Sequence, residues 1–187
     1  MNHPDTSALS FENLDSLSPE EIRRKFEELR AYSRDLKGQI EELRRSEGKY
    51  RSLFETMSQG VVYQATDGRI ISANPAAERI LGLSLDQMLG KTSLDPGWKT
   101  LREDGSELPG SEHPAMVALR TGKPVERAVI AVMNPQRKKH TWISVNATPL
   151  FQPGATKPCR VYAPFDDITE RRQHEEALRA SEASLRA

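Results

Sequence analysis

The chain has a single cysteine, Cys159, so no disulfide can form within it and a cysteine-based zinc site has no ligands to draw on. Its longest apolar run, Ala128 to Met133, is far too short to cross a bilayer. The first residues, Met1 to Asp15, show no basic start followed by a hydrophobic stretch, so no signal peptide is expected. An excess of positive charge is also missing. Lys+Arg and Asp+Glu number 27 each, which gives none of the basic surface that nucleic acid binding needs. No glycine-rich phosphate loop occurs, and no Ser/His/Asp or paired-carboxylate arrangement has a spacing that supports catalysis. These absences lead to the expectation of a cytoplasmic, non-enzymatic chain that touches neither membrane nor nucleic acid.

The 187 residues suffice for one domain with extensions. With 36% hydrophobic and 29% charged residues, a small core flanked by solvated helices is expected. Residues 1–17 are polar and without periodicity, and read as a mobile tail. Ser18, Pro19, Glu20 and Glu21 read as a helix start: a capping serine, proline at the first helical position and acids in the first turn. From there apolar residues recur every seven positions. Ile22, Leu29, Leu36, Leu43 and Tyr50 hold one heptad position, and Phe26, Ser33, Ile40 and Glu47 the other. Such a narrow seam over residues 18–45 predicts a dimeric coiled coil. A single amphipathic helix lying on its own domain is the alternative, favoured by Ser33 and Glu47 in the seam and by Gly38 and Gly48.

Residues 46–168 read as the domain proper. A second helix is expected over Ser46–Met57, then strands at Val61–Ala65 and Arg69–Ala73 joined by an Asp67-Gly68 turn. Asn74 caps a helix with Pro75 at its first position and Gly82 beyond its end, and a short helix follows over Leu83–Leu89. Residues 91–110 carry turn signals at Asp95-Pro96-Gly97, Asp104-Gly105 and Pro109-Gly110. A helix from Ser111 to about Arg120 precedes three strands, Val125–Met133, Lys139–Leu150 and Cys159–Ile168, and residues 169–187 are helical again. Strands grouped around a helical insert imply an α+β domain with an antiparallel sheet.

The Asp67-Gly68 hairpin, the helix opening Asn74-Pro75-Ala76-Ala77 with Gly82, the Trp142-Ile143-Ser144-Val145 strand ending at Pro149-Leu150, and the closing Asp167-Ile168-Thr169 together resemble the PAS domain family. So does the segment from Arg102 through Leu108-Pro109 to Glu112-His113-Pro114-Ala115, which looks like that of PAS domains attached to bacterial signalling enzymes. The resemblance runs from about Glu47 to Glu170, roughly two thirds of the chain. It implies a five-stranded antiparallel sheet of order 2-1-5-4-3 with short helices on one face. The N-terminal coiled-coil helix and a C-terminal output helix would flank it. It also implies a sensory module that dimerises and passes a core or ligand-binding event to an output domain in cis, of histidine kinase or diguanylate cyclase type.

Aligning on Pro149, as the resemblance suggests, points Ile143, Val145 and Ala147 inward and Trp142, Ser144 and Asn146 outward. Val62, Gln64, Ala163 and Phe165 also face in, and Ile71, Leu81, Met116 and Leu119 complete the wall of a candidate ligand pocket. Gln64 is its polar group. A simply packed core is the alternative reading. Trp142, exposed on a sheet, calls for cover by the N-terminal helix or a partner protomer. Asp167, Ile168 and Thr169 form the expected junction to the output helix, where the family often has an aspartate salt bridge. No cofactor is expected with certainty, although an unknown small molecule is compatible with the pocket. The reactive cysteine of photoactive flavin sensors is missing from its helix, since Cys159 lies on the last strand. His113 is the one haem-ligand candidate, set against it by its place in a helix's first turn before Pro114, with partial exposure expected. His140 and His3 have no partner at metal-ligand spacing, and His174 lacks the flanking pattern of a phosphoacceptor helix. Finally, five of nine positions are identical between Leu43–Arg51 and Leu178–Arg186, as though another unit were to begin at the C-terminus. Three functions compete: a ligand-responsive sensor, a dimerisation spacer without ligand, and a haem-binding gas or redox sensor.

Overall fold

A computed structural model describes residues 18–93, 95 and 98–186, so the expected tail at 1–17, His3 and most of the expected turn at Asp95-Pro96-Gly97 lie outside the described residues. The chain divides into two compact units after Arg51. In the first, a helix begins at Pro19 (α1, Pro19–Thr56), and it continues without a break past the unit boundary. The separate helix expected from Ser46 is therefore part of α1. Gly48 interrupts nothing, because one glycine costs a helix only about 1 kcal/mol and the helix has no internal proline. Ser18 caps it: its hydroxyl accepts from the Glu21 amide while the Glu21 carboxylate accepts from the Ser18 amide at 2.8 Å. These bonds hold the Glu21 carboxyl below the usual range. The seam residues Ile22, Phe26, Leu29, Leu36, Ile40 and Leu43 are all exposed, and α1 buries no residue. Among the described residues the ion pairs on α1 are Arg24–Glu28 and Glu47–Arg51.

The second unit holds one antiparallel sheet. Its strands are β1 (Gly60–Ala65), β2 (Ile70–Ala73), β3 (Thr100–Leu101), β4 (Val125–Asn134), β5 (Lys139–Phe151) and β6 (Pro158–Asp167), in the order β2-β1-β6-β5-β4-β3. The five expected strands stand in the expected order. The sixth, β3, is a correction: two residues at the free edge of β4, with Thr100 opposite Val132 and Leu101 opposite Ala131. Two residues show no alternation, so a stretch read as turns hid a strand.

Over one face lie α2 (Pro75–Leu81), α3 (Leu85–Met88) and α4 (Pro114–Thr121), and α5 (Thr169–Arg186) leaves from the end of β6. The helix expected from Leu83 starts later because Ser84 caps it, in a reciprocal bond pair with Gln87. The helix expected from Ser111 splits into a 3-10 turn at Gly110–Glu112 and α4, since Pro114 lacks an amide hydrogen and fits best at a fresh first turn. Gly82 ends α2 at φ 70°, with the Asn134 side chain packed where a Cβ would be.

Asn74, fully buried, joins these parts. Its Oδ1 accepts from the amides of Val61 and Ala77, each at 2.9 Å. Its Nδ2 donates to the carbonyls of Phe54 at 3.1 Å and Gln59 at 2.9 Å. One side chain thus closes the end of α1, the start of β1 and the N-terminus of α2. Replacing it by alanine strands four backbone groups, two of them buried and two part-buried. Asn74→Ala is expected to lower unfolding free energy by roughly 3–5 kcal/mol, read from urea melts; a loss below about 1 kcal/mol would show that the four bonds are replaceable.

Candidate functional site

The inner faces of β1, β2, β4, β5 and β6 and the helices above them line a partly open cavity of about 80 Å³. The alternation on β5 is as expected: Ile143, Val145 and Ala147 are buried, while Trp142, Ser144 and Asn146 are half-buried on the other face. Of the ten residues expected in the pocket wall, Val62, Gln64, Leu81, Ile143, Val145 and Phe165 line the cavity, and the expected neighbour Ala163 joins them. Ala147 is buried in the core beside it, and Leu119 packs on that core. Met116 sits over the Gly68 turn instead.

Ile71 is a correction. It is exposed, and Ile70 takes its place in the wall. The pairing runs Val62 with Ala73, Tyr63 with Ser72, then Gln64 with Ile70. Ile71 is the extra residue of a bulge, and a one-residue slip reverses the face of everything beyond it.

Sequence reasoning missed Ser93, Trp98, Ile130 and Val132 in the wall. Ile130 and Val132 lie in an unbroken apolar run, Ala128 to Met133, which shows no alternation to pick out its inner face. For Trp98 the signal was a large aromatic in a segment otherwise built of turn residues.

His113 also lines the cavity and is buried, contrary to the expected partial exposure. The Thr100 hydroxyl donates to the Leu108 carbonyl at 3.0 Å, so the 2.7 Å contact between Thr100 and His113 Nε2 has the imidazole as donor. Burial pushes the His113 pKa down to about 4, which leaves it neutral near pH 7. A haem does not fit. The cavity lies well below the roughly 300–1,000 Å³ of ordinary small-molecule sites, and His113 Nε2 is already engaged by Thr100.

Two polar atoms in this apolar wall have no protein partner. Gln64 Nε2 donates to Ser93 Oγ at 3.4 Å, but Gln64 Oε1 is buried and unpaired, as is Trp98 Nε1. No Asp, Glu, Lys or Arg lines the cavity. Among the described residues no group of His, Cys, Asp and Glu is placed to hold a metal ion.

Directly behind the wall is the root of α5. The Trp142 amide donates to Thr169 Oγ1 at 2.9 Å, and the Ile168 amide donates to the Trp142 carbonyl at 2.8 Å. Asp167 accepts from the Thr169 amide at 2.9 Å and lies 3.6 Å from the Arg137 guanidinium. The Arg172 guanidinium stacks over the Trp142 ring at 4.2 Å and pairs with Glu103 at 2.6 Å. The cover on Trp142 is thus α5, an element the sequence did not suggest for it.

A protein-family model described as a PAS domain matches residues 48–112. A sensor histidine kinase, TmoS of Ectopseudomonas mendocina, is 25% identical over 143 residues, which are 75% of this chain and 14% of that protein. The chain therefore spans only a small part of the curated relative it matches. Among solved structures, the PAS domain of an HTR-like protein from Haloarcula marismortui matches with a TM-score of 0.54 at 15% identity, over 71% of this chain and 99% of that one. The PAS domain of a Colwellia psychrerythraea protein matches at 0.51 and 18%, over 66% and 97%. A sensory box histidine kinase/response regulator from Burkholderia thailandensis matches at 0.51 and 17%, over 74% and 98%. Among the described residues no helix is long and apolar enough to cross a membrane.

The depressed pKa of His113 has a consequence for stability. The unfolded chain takes up this proton near pH 6.5 and the folded one only near pH 4, so the neutral imidazole's contribution is complete above pH 6.5 and is lost as pH falls through 4. Between pH 7 and pH 5 the wild type is expected to lose about 2 kcal/mol more than His113→Gln does, measured by urea melts at both pH values. Equal losses would place His113 in contact with water.

Proposed function

The chain carries a PAS domain, and from that premise we propose that it is a sensory relay module. An event in the cavity is passed through β5 to α5 and on to an output domain in cis, the module itself performing no catalysis and working in the cytoplasm as a homodimer. One observation carries the reading. Ile143 walls the cavity, and Trp142, the residue before it, holds the first turn of α5 with its amide, its carbonyl and its ring. A displacement of the cavity wall therefore acts on the root of the helix within one residue of strand. The event must favour one of two positions of that root, since a ligand with equal affinity for both shifts nothing.

The remaining parts of the proposal have their own support. The exposed stripe from Ile22 to Leu43 on α1 is an apolar seam that a second copy covers in heptad register. Leu178 and Leu185 on α5 are exposed seven residues apart, the same spacing. An output domain of histidine kinase type is supported by the curated relative. The balanced charge argues against nucleic acid as partner.

Two measurements test this. Light scattering of the purified chain is expected to give a dimer, and removal of residues 1–45 a monomer; a monomeric full chain would sink the dimer. Ala163 lines the cavity, so Ala163→Val fills part of it without touching α5. Amide exchange in the first turn of α5 is then expected to change by about threefold or more. Unchanged exchange in a variant that melts like the wild type would leave a dimerisation spacer as the better reading.

A further inference from the structure

The unpaired atoms of the cavity restrict what can enter it. Gln64 is 4% exposed and Trp98 Nε1 is buried, and each carries one unmet demand of opposite kind: Gln64 Oε1 needs a donor and Trp98 Nε1–H needs an acceptor. A buried polar group without a partner is costly, so a bound molecule that meets both demands gains twice. Ser93 Oγ already accepts from Gln64 Nε2, and Thr100 links His113 Nε2 to the Leu108 carbonyl, so the buried atoms of the wall that have no partner at all are Gln64 Oε1 and Trp98 Nε1. The other lining side chains are apolar, chiefly Val62, Ile70, Leu81, Ile143 and Phe165. With no charged side chain in the wall, an ion would lose its hydration and gain no counter-charge. The volume of about 80 Å³ suits a small molecule, one that the partly open mouth lets extend outward.

We propose that this cavity binds a small neutral molecule with a hydrogen-bond donor beside an acceptor on a short apolar body, an amide, lactam or azole. Its acceptor takes the Trp98 indole N–H and its donor gives to Gln64 Oε1. The inference rests on the reading of the cavity as the site of the sensed event, and adds to it the chemistry of the ligand. It excludes carboxylates, amines, phosphates and pure hydrocarbons as good ligands, and it makes Trp98, outside the sheet, the selecting residue.

Three ring compounds of nearly one shape test it by titration against nitrogen-labelled protein, with the Trp98 indole resonance as readout. They are 2-pyrrolidinone, with donor and acceptor; cyclopentanone, with the acceptor alone; and methylenecyclopentane, with neither. 2-Pyrrolidinone is expected to shift the indole N–H saturably, cyclopentanone to bind about tenfold more weakly, and methylenecyclopentane weaker again by about as much. Gln64→Leu is expected to remove the first difference and Trp98→Phe, read from the Gln64 side-chain amide resonances, the second, each variant first checked by its melt. Equal or tighter binding of methylenecyclopentane overturns the proposed chemistry while leaving a ligand-responsive cavity. If none of the three binds and the indole N–H instead shows transfer to a long-lived water, both the chemistry and the ligand reading fall.

Discussion

The carboxamide of Asn74 is the point on which the rest of the domain depends. It sits where three elements end or begin, and its two acceptor and two donor directions are all used on backbone groups. Without it, the last turn of α1, the first residues of β1 and the N-terminus of α2 would each bury an unpaired polar group, a state proteins rarely tolerate. The N-terminus of α2 is tied to the start of β1 by it. Gly82 and Asn134 hold the other end of α2 in a similar way, the Asn134 amide donating to the Ile80 carbonyl at 3.1 Å. α2 is thus pinned at both ends by buried asparagines.

The two faces of β5 separate the tasks. Toward the helices it presents Ile143, Val145 and Ala147, and toward the other side it presents Trp142, to which α5 is attached. Strand geometry alone makes this division, since neighbouring side chains must point opposite ways. The attachment is polar at the backbone and cationic at the ring, which leaves α5 held by few and local contacts. Arg172 is drawn both to the ring and to Glu103 on the loop after β3. Since β3 also supplies Thr100 to His113, β3 and the loop after it touch both the cavity lining and α5.

Much of this was legible in the residues. The alternation of β5, the Asp67-Gly68 turn, the Asn74 cap and the Gly82 stop each have a strong local cause, and the sheet order came with the family resemblance. What escaped had weaker local causes. The bulge at Ile71 depends on a pairing partner, and no count along β2 alone reveals it. β3 is too short to have a period. The buried bond of His113 is to Thr100, thirteen residues away, which is itself bonded to Leu108, and no local pattern along the chain announces it. Trp98 was passed over because turn residues surround it, although an indole in such a stretch rarely stays in water without purpose.

The way α5 is rooted carries a constraint on whatever is joined to it. Thr169 is fixed to β5 by a side-chain bond, so the rotational phase of the helix is set at its first residue and not along its 18-residue length. An α-helix turns by about 100° per residue, so adding or deleting one residue beyond Thr169 would present a different side of the helix to a following domain. Adding seven would restore nearly the same side, displaced by about 10 Å. The spacing of Leu178 and Leu185 is of that length. A functional junction to this domain therefore has a periodic tolerance, written in units of two helical turns.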